Sequence, residues 1–166
     1  MTDPMFSRTS VRSYLKKPVE KEKIELMLRA AMQAPSAVNQ QPWFFAVVEN
    51  DDLKRRLSEC SPYAQPAKEA PVLFVVCRDT SHLILPEDTA MDLSAAAMSL
   101  LLEAEVQGLG AVWLGIAPEK DRMDAIAKVL NLPAHIEPFC LIPCGYPAEK
   151  PALTPRFDAA KVQYFA

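Results

Sequence analysis

The sequence predicts a helix-rich α+β or α/β fold in a single domain over residues 1–166. Three observations lead there. Segments of helical periodicity alternate with short apolar runs of strand length. Proline or glycine stands at most of the joints between them. A chain of 166 residues, 50% of them apolar, is long enough for one real core and short for two. There are no repeats and no low-complexity tract.

Residues 20–33, EKEKIELMLRAAMQ, set Ile24, Met27, Leu28 and Ala31 on one face between Pro18 and Pro35, which predicts an amphipathic helix. WFFAVV (43–48) reads as a strand. Asp51 or Asp52 is placed to cap a second helix, LKRRLSEC. VLFVVC (72–77) reads as a buried strand between Pro71 and the charged pair Arg78-Asp79. The segment 87–107 differs in kind. Leu93, Ala96, Ala97, Leu100, Leu101 and Ala104 form a wide stripe, and Met91, Ala95, Met98 and Leu102 carry apolar surface to other faces. A helix apolar nearly all round is buried on several sides, either within one subunit or with the help of a second. Gly108-Leu109-Gly110 ends it, AVWLGI (111–116) reads as a strand, and Pro118 opens a helix with Met123, Ile126, Ala127 and Leu130 inward. PFCLIPC (138–144) is the last core strand. From Gly145 the chain is proline-rich and extended before a short terminal element, where Phe157, Val162, Tyr164 and Phe165 need something to pack on.

Net charge is −3, which argues against a nucleic-acid surface. No apolar run is long enough to span a bilayer, and the first residues lack the apolar core of a signal peptide, so a cytoplasmic location is expected. Cys77 and Cys140 lie in apolar runs. Cys140 and Cys144 share a strand face about 13 Å apart, too far for one disulfide or one tetrahedral metal site. His82 and His135 have no ligand spacing around them. These residues and the remaining cysteine, Cys60, all read as structural.

The sequence has no GxSxG elbow, no P-loop and no HExxH, and GLGAVWLG follows a helix and precedes a strand, the reverse of the dinucleotide-binding order. Two basic, hydroxyl-bearing clusters remain. In RTSVRSY (8–14) an extended backbone puts Arg8, Ser10 and Arg12 on one side, and guanidinium forks suit phosphate. In KPALTPR (150–156) a proline-stiffened arm carries Lys150 and Arg156. Taken singly, each reads as a solvated charged segment. With the polar loop 35–41 they form a set suited to a phosphate-bearing, hydrogen-bonding ligand.

RTSVRSY, then a helix, then APSAVNQQPW, then a buried helix ending in GLGAVWLG, then GYPAEKP and a late arginine resembles the FMN-dependent nitroreductase family in its compact branch. The resemblance runs over about residues 5 to 165. It implies an α+β, three-layer fold with a central, mostly antiparallel sheet flanked by helices. It further implies a homodimer with exchanged tails and FMN sites at the subunit interface. Arg8, Thr9, Ser10 and Arg12 then match the family's cofactor-binding N-terminal motif, in which Arg8 and Ser10 would hold the phosphate or ribityl chain and Arg12 would lie near the flavin N1–C2 carbonyl edge. Arg156 would close on the phosphate, with Lys150 a further candidate. Pro35, Ser36 and Ala37 would lie along the ring of the other subunit's flavin, with Asn39 and Gln41 hydrogen-bonding nearby. Leu114, Gly115 and Ile116 would present backbone to N5, and Gln65 would touch the ring. The sequence departs from the family at Ala37, where a second serine is common, in the sparsely basic LTPRFD tail, and at Tyr164-Phe165, where a tryptophan is common.

The activity this implies is ping-pong transfer of electrons from NADH or NADPH, through FMN, to nitroaromatic, quinone or similar flat acceptors, with no catalytic side chain beyond the cofactor. Nucleic acid and membrane are not expected partners. The competing readings are a flavin-binding sensor or storage protein without turnover, a specialised member such as a reductive dehalogenase or a flavin-fragmenting oxygenase, and a structural dimeric domain. Arg55, Arg56, Lys68 and Arg122 are the cations available to recognise a 2′-phosphate.

Overall fold

The computed structural model describes residues 3–165. Its elements in order are α1 (Pro4–Ser7), α2 (Lys21–Met32), β1 (Trp43–Val48), α3 (Asp51–Ser58), α4 (Pro66–Glu69), β2 (Val72–Asp79), α5 (Thr89–Val106), β3 (Gly110–Ala111), β4 (Leu114–Gly115), α6 (Lys120–Leu130) and β5 (Ile136–Gly145). Short 3-10 turns fall at Ala37–Asn39, Pro86–Asp88 and Ala159–Lys161. The strands form one sheet of order β1-β2-β5-β3, with β4 also pairing with β5, and every strand pairing is antiparallel.

Alternation along β2 divides the core in two. Val72, Phe74 and Val76 face α2 and α5, while Leu73, Val75 and Cys77 face the layer of α3, α4 and α6. The expected three layers result. The stripe on α5 is buried as its periodicity predicts, and Ala96, Ala97 and Ala104 let the helix approach the sheet closely. α6 buries only Ile126 fully, so its inward face is narrower than the sequence suggests. Cys140 and Cys144 share the α5 side of β5, as expected. Burial pushes the Cys77 and Cys144 thiols up to about 12 and raises Cys140 as well, so none of the three ionises near neutrality.

Three local features depart from the sequence reading. Asn50, not Asp51 or Asp52, caps α3, its Oδ1 accepting the Leu53 N–H at 2.9 Å. The expected strand 111–116 is two short strands. The ladder to β5 is interrupted where Val112 meets Pro143: the Val112 N–H reaches the Pro143 carbonyl at 3.3 Å, but proline has no N–H to return. The third feature is a bulge. Val76 pairs with Cys140 and Cys77 with Pro138, so Phe139 is the extra residue. This lets Ile136 and Leu141, an odd number of residues apart, share one layer. Trp113, at the ladder break, packs edge-to-face on Phe139 with centroids 5.6 Å apart.

The N-terminal segment is clamped to the sheet edge. Ser10 bridges Ala111, the Val11 N–H donates to the Ala111 carbonyl at 3.0 Å, and the buried Tyr14 hydroxyl donates toward the carbonyls of Val11 and Pro143. Gly110 makes this approach feasible, because a Cβ there would lie 2.6 Å from Val11 Cγ2. Gly110→Ala is therefore expected to lower stability by about 1–3 kcal/mol, read as a shifted denaturant midpoint.

Candidate functional site

The sheet edge carries the first half of the site. Arg8 ends α1, Thr9 and Ser10 follow, and Ser10 lies beside Ala111. The Thr9 hydroxyl is buried and has no hydrogen-bond partner, the one such side-chain atom among the described residues. An unmet buried hydroxyl costs about 1–3 kcal/mol, which a ligand oxygen placed there would recover. Arg12 is exposed, and its guanidinium makes only a 3.3 Å contact to the Ser10 carbonyl.

From Ala111 the chain runs at most about 13 Å to Gly115, at about 3.3 Å per residue. Gly115 is exposed, and a Cβ built on it meets nothing within 4 Å. The Ile116 N–H donates to the Phe139 carbonyl of β5 at 3.3 Å. Because amide directions alternate along a strand, the Gly115 N–H points away from β5, to the open edge. Leu114 and Ile116 are buried and anchor this exposed backbone in the α3/α4/α6 layer. This side of the sheet thus carries cations, an unpartnered buried hydroxyl and an outward backbone amide.

The polar loop is the second half. Pro35 is exposed, and Val38, Asn39 and Gln41 all adopt positive φ, at 46°, 56° and 49°. Asn tolerates this region, but a β-branched valine there is strained. The loop is pinned from inside. Ser36 Oγ accepts the Gln41 N–H at 3.0 Å, and Asp92 Oδ1 accepts the Ala37 N–H at 2.8 Å. The Gln40 amide donates to Asp92 Oδ2 at 2.7 Å, and the Gln41 amide donates to Asn39 Oδ1 at 3.0 Å. Sequence reading missed both Gln40 and Asp92. The only available signal was an acidic residue on the first turns of an otherwise apolar helix.

Within one chain the two halves lie apart. Asp92 stands near the N-terminal end of α5, while Glu105 near its C-terminal end accepts from Ser7 Oγ at 2.8 Å and pairs with Lys150. Along a helix rising about 1.5 Å per residue, those two carboxylates are roughly 20 Å apart. Lys150 is thereby brought to the N-terminal cluster, with its charge already met by Glu105. Arg156 lies exposed on the tail. Gln65 sits on another layer, just before α4, its amide 3.5 Å from the Ser58 carbonyl of α3, and no hydrogen bond joins it to the other candidates.

The open sheet edge of this three-layer α+β sandwich carries arginines, an unpaired hydroxyl and a bare glycine, groups suited to a phosphorylated ligand. The chain belongs to the nitroreductase family, whose sequence profile matches residues 5–61 and 58–146. A Methanothermobacter thermautotrophicus protein provisionally named NADH dehydrogenase/NAD(P)H nitroreductase is 41% identical over 94% of this chain and 82% of its own. The crystal structure of a Clostridium acetobutylicum protein provisionally named NADH oxidase superposes with a TM-score of 0.94 at 45% identity, covering 97% of this chain and 98% of that one. A Desulfovibrio desulfuricans protein provisionally named a nitroreductase, determined in complex with FMN, superposes at 0.84 with 27% identity, covering 98% and 95%.

Because Ser7 and Lys150 share Glu105, Glu105→Gln is expected to keep the fold while loosening the chain after Pro147. Limited proteolysis should then cut within residues 150–156 faster than in the parent protein, with an unchanged far-ultraviolet dichroism spectrum.

Proposed function

We propose that this chain is an FMN-dependent NAD(P)H oxidoreductase acting as a homodimer. It would pass electrons by a ping-pong cycle from NADH or NADPH to nitroaromatic, quinone or similar flat acceptors. The observation that carries the reading is the unpartnered Thr9 hydroxyl, set between Arg8 and Ser10 at the edge that also exposes Gly115. Those donors fit a flavin mononucleotide laid along the edge, and relatives named as NAD(P)H nitroreductases and an FMN complex support the choice. Bound FMN supplies hydride acceptance at N5 and its onward delivery.

The chain's own residues bind, orient and stabilise. Arg8, Thr9 and Ser10 hold the phosphate and ribityl oxygens through charge-assisted and neutral hydrogen bonds. Arg12, exposed at the same edge, offsets negative charge that reduction places on the N1–O2 side. The Gly115 amide is free to donate toward N5, and the absence of a side chain lets the ring approach. Leu114 and Ile116 fix that amide from below. Arg156 closes over the phosphate from the tail, with Lys150, held beside the cluster by Glu105, a further candidate, while Gln65 stands on another layer.

A second copy completes the site. On α5, Met91 and Met98 are exposed and Ala95 and Leu102 only partly buried, so one apolar stripe is left uncovered. Two such helices packed antiparallel about an axis near Met98 would bring the Asp92 end of each to the Glu105 end of the other. That brings the partner's loop 35–41, with Pro35, Ser36, Ala37, Asn39 and Gln41, toward the first copy's flavin. The tail residues Phe157, Tyr164 and Phe165, each at least 86% exposed, would find cover on the partner in the same arrangement.

The purified protein should show flavin absorption bands that bleach on anaerobic addition of NADH or NADPH and return with a quinone or nitroaromatic. Bands that never bleach would point to a sensor or storage protein, and a colourless protein that cannot be reconstituted with FMN would end this reading. Arg8→Ala is expected to weaken FMN binding about 10–100-fold by titration, whereas Arg12→Ala should chiefly slow reduction, by about tenfold or more in stopped flow.

A further inference from the structure

We propose that Asp92 and Gln40 are positioning residues, which hold loop 36–41 in its left-handed form so that it meets the partner subunit's flavin already shaped. The inference rests on the flavoprotein dimer proposed above.

The loop's backbone does not hold itself. Val38 lies at φ 46° and is 60% exposed, so no burial of its own keeps it in a region that branched residues avoid. Asp92 spans the strained position. One carboxylate oxygen takes the Ala37 N–H before Val38, and the other takes the Gln40 amide after it, at 2.8 and 2.7 Å. Gln40 in turn is fully used. Its Nε2 also donates to the Leu85 carbonyl at 3.0 Å, and its Oε1 accepts the N–H groups of Ile84 and Leu85 at 3.1 and 3.0 Å. One amide therefore ties the loop both to α5 and to the segment that leads into it.

Asp92 is 5% exposed, and no lysine or arginine pairs with it among the described residues. A buried carboxylate without a cation is costly, and an apolar residue would suit α5 better for packing alone. What Asp92 contributes is directed to the loop. A loop preset in its bound form loses little freedom when the flavin arrives, so the clamp acts on affinity at the partner's site through the backbone of residues 37–40, with no contact of its own to the cofactor.

The test measures FMN dissociation constants by fluorescence quenching for the wild type, Gln40→Leu and Gln40→Glu at pH 8 and pH 5.5. Each variant is compared with wild type at the same pH, so that titration of the FMN phosphate cancels. Thermal midpoints and sedimentation are recorded alongside. Gln40→Leu should bind FMN about tenfold or more weakly at both pH values while remaining folded and dimeric. In Gln40→Glu at pH 8 a carboxylate faces Asp92 and the Leu85 carbonyl, and binding should be as weak as in the leucine variant. A neighbouring carboxylate raises the pKa of this new carboxyl, so lowering the pH favours its protonated form. Its O–H then donates to Asp92 while the Leu85 carbonyl stays without its donor, so affinity should recover in part relative to pH 8. Wild-type FMN affinity in a folded, dimeric Gln40→Leu at both pH values would overturn the proposal. A wild type that binds no FMN would overturn the flavoprotein reading and this inference together, whereas normal wild-type binding with unaffected variants removes only the clamp.

Discussion

The packing of α5 against one face of the sheet is the constraint from which the rest follows. Its alanines bring the helix axis close, and Leu93, Leu100 and Leu101 fill what remains, so the helix has no freedom to shift. Being rigid, it acts as a ruler. Asp92 near one end organises loop 35–41, and Glu105 near the other gathers Ser7 and Lys150. Every candidate ligand-binding group except Gln65 and the exposed Arg156 is tied to one of these two ends or to the strands that run back beside the helix. The face of α5 turned away from the sheet keeps an exposed apolar stripe, the observation behind the proposed homodimer.

The sheet edge is open for reasons that are also local. Pro143 cannot return a hydrogen bond to Val112, so the outermost ladder is cut into β3 and β4. The N-terminal segment covers β3 only, because Tyr14 turns it across the sheet end toward Pro143 and Pro147. β4 is left with an exposed glycine and an outward amide. Closed edges are the safer arrangement for a sheet, and an open one next to two arginines and an unmet hydroxyl is a place prepared for something else to complete.

Among the described residues no constellation of acids and bases accompanies this edge. Cys77, Cys140 and Cys144 are held protonated by burial, and Lys150 is already paired with Glu105. Donors of hydrogen bonds and fixed positive charge are what the edge has to offer. That inventory suits a site that holds and tunes a redox-active ring better than one that cuts a bond with a side-chain nucleophile.

By itself the sequence determined the large elements and the chemical inventory. The periodicity of α2 and α5, the apolar runs of β1, β2 and β5, and the arginine-hydroxyl cluster at 8–12 were legible because each is written in residues a few positions apart. Nothing local marks that Asn50 rather than Asp51 caps α3, since both can accept the same bond. Nor does anything local mark the bulge at Phe139 or the break at Pro143, since both depend on which strand lies alongside. In the sequence, Asp92 is one acidic residue in the first turn of a largely apolar helix. Only the tertiary structure shows its carboxylate turned onto a loop more than fifty residues earlier in the chain. The tertiary structure also decided that Gln65 stands on another layer, and that the polar loop and the basic cluster lie a helix length apart. Distances between segments remote in sequence are set by packing against shared neighbours, and no short-range pattern carries them.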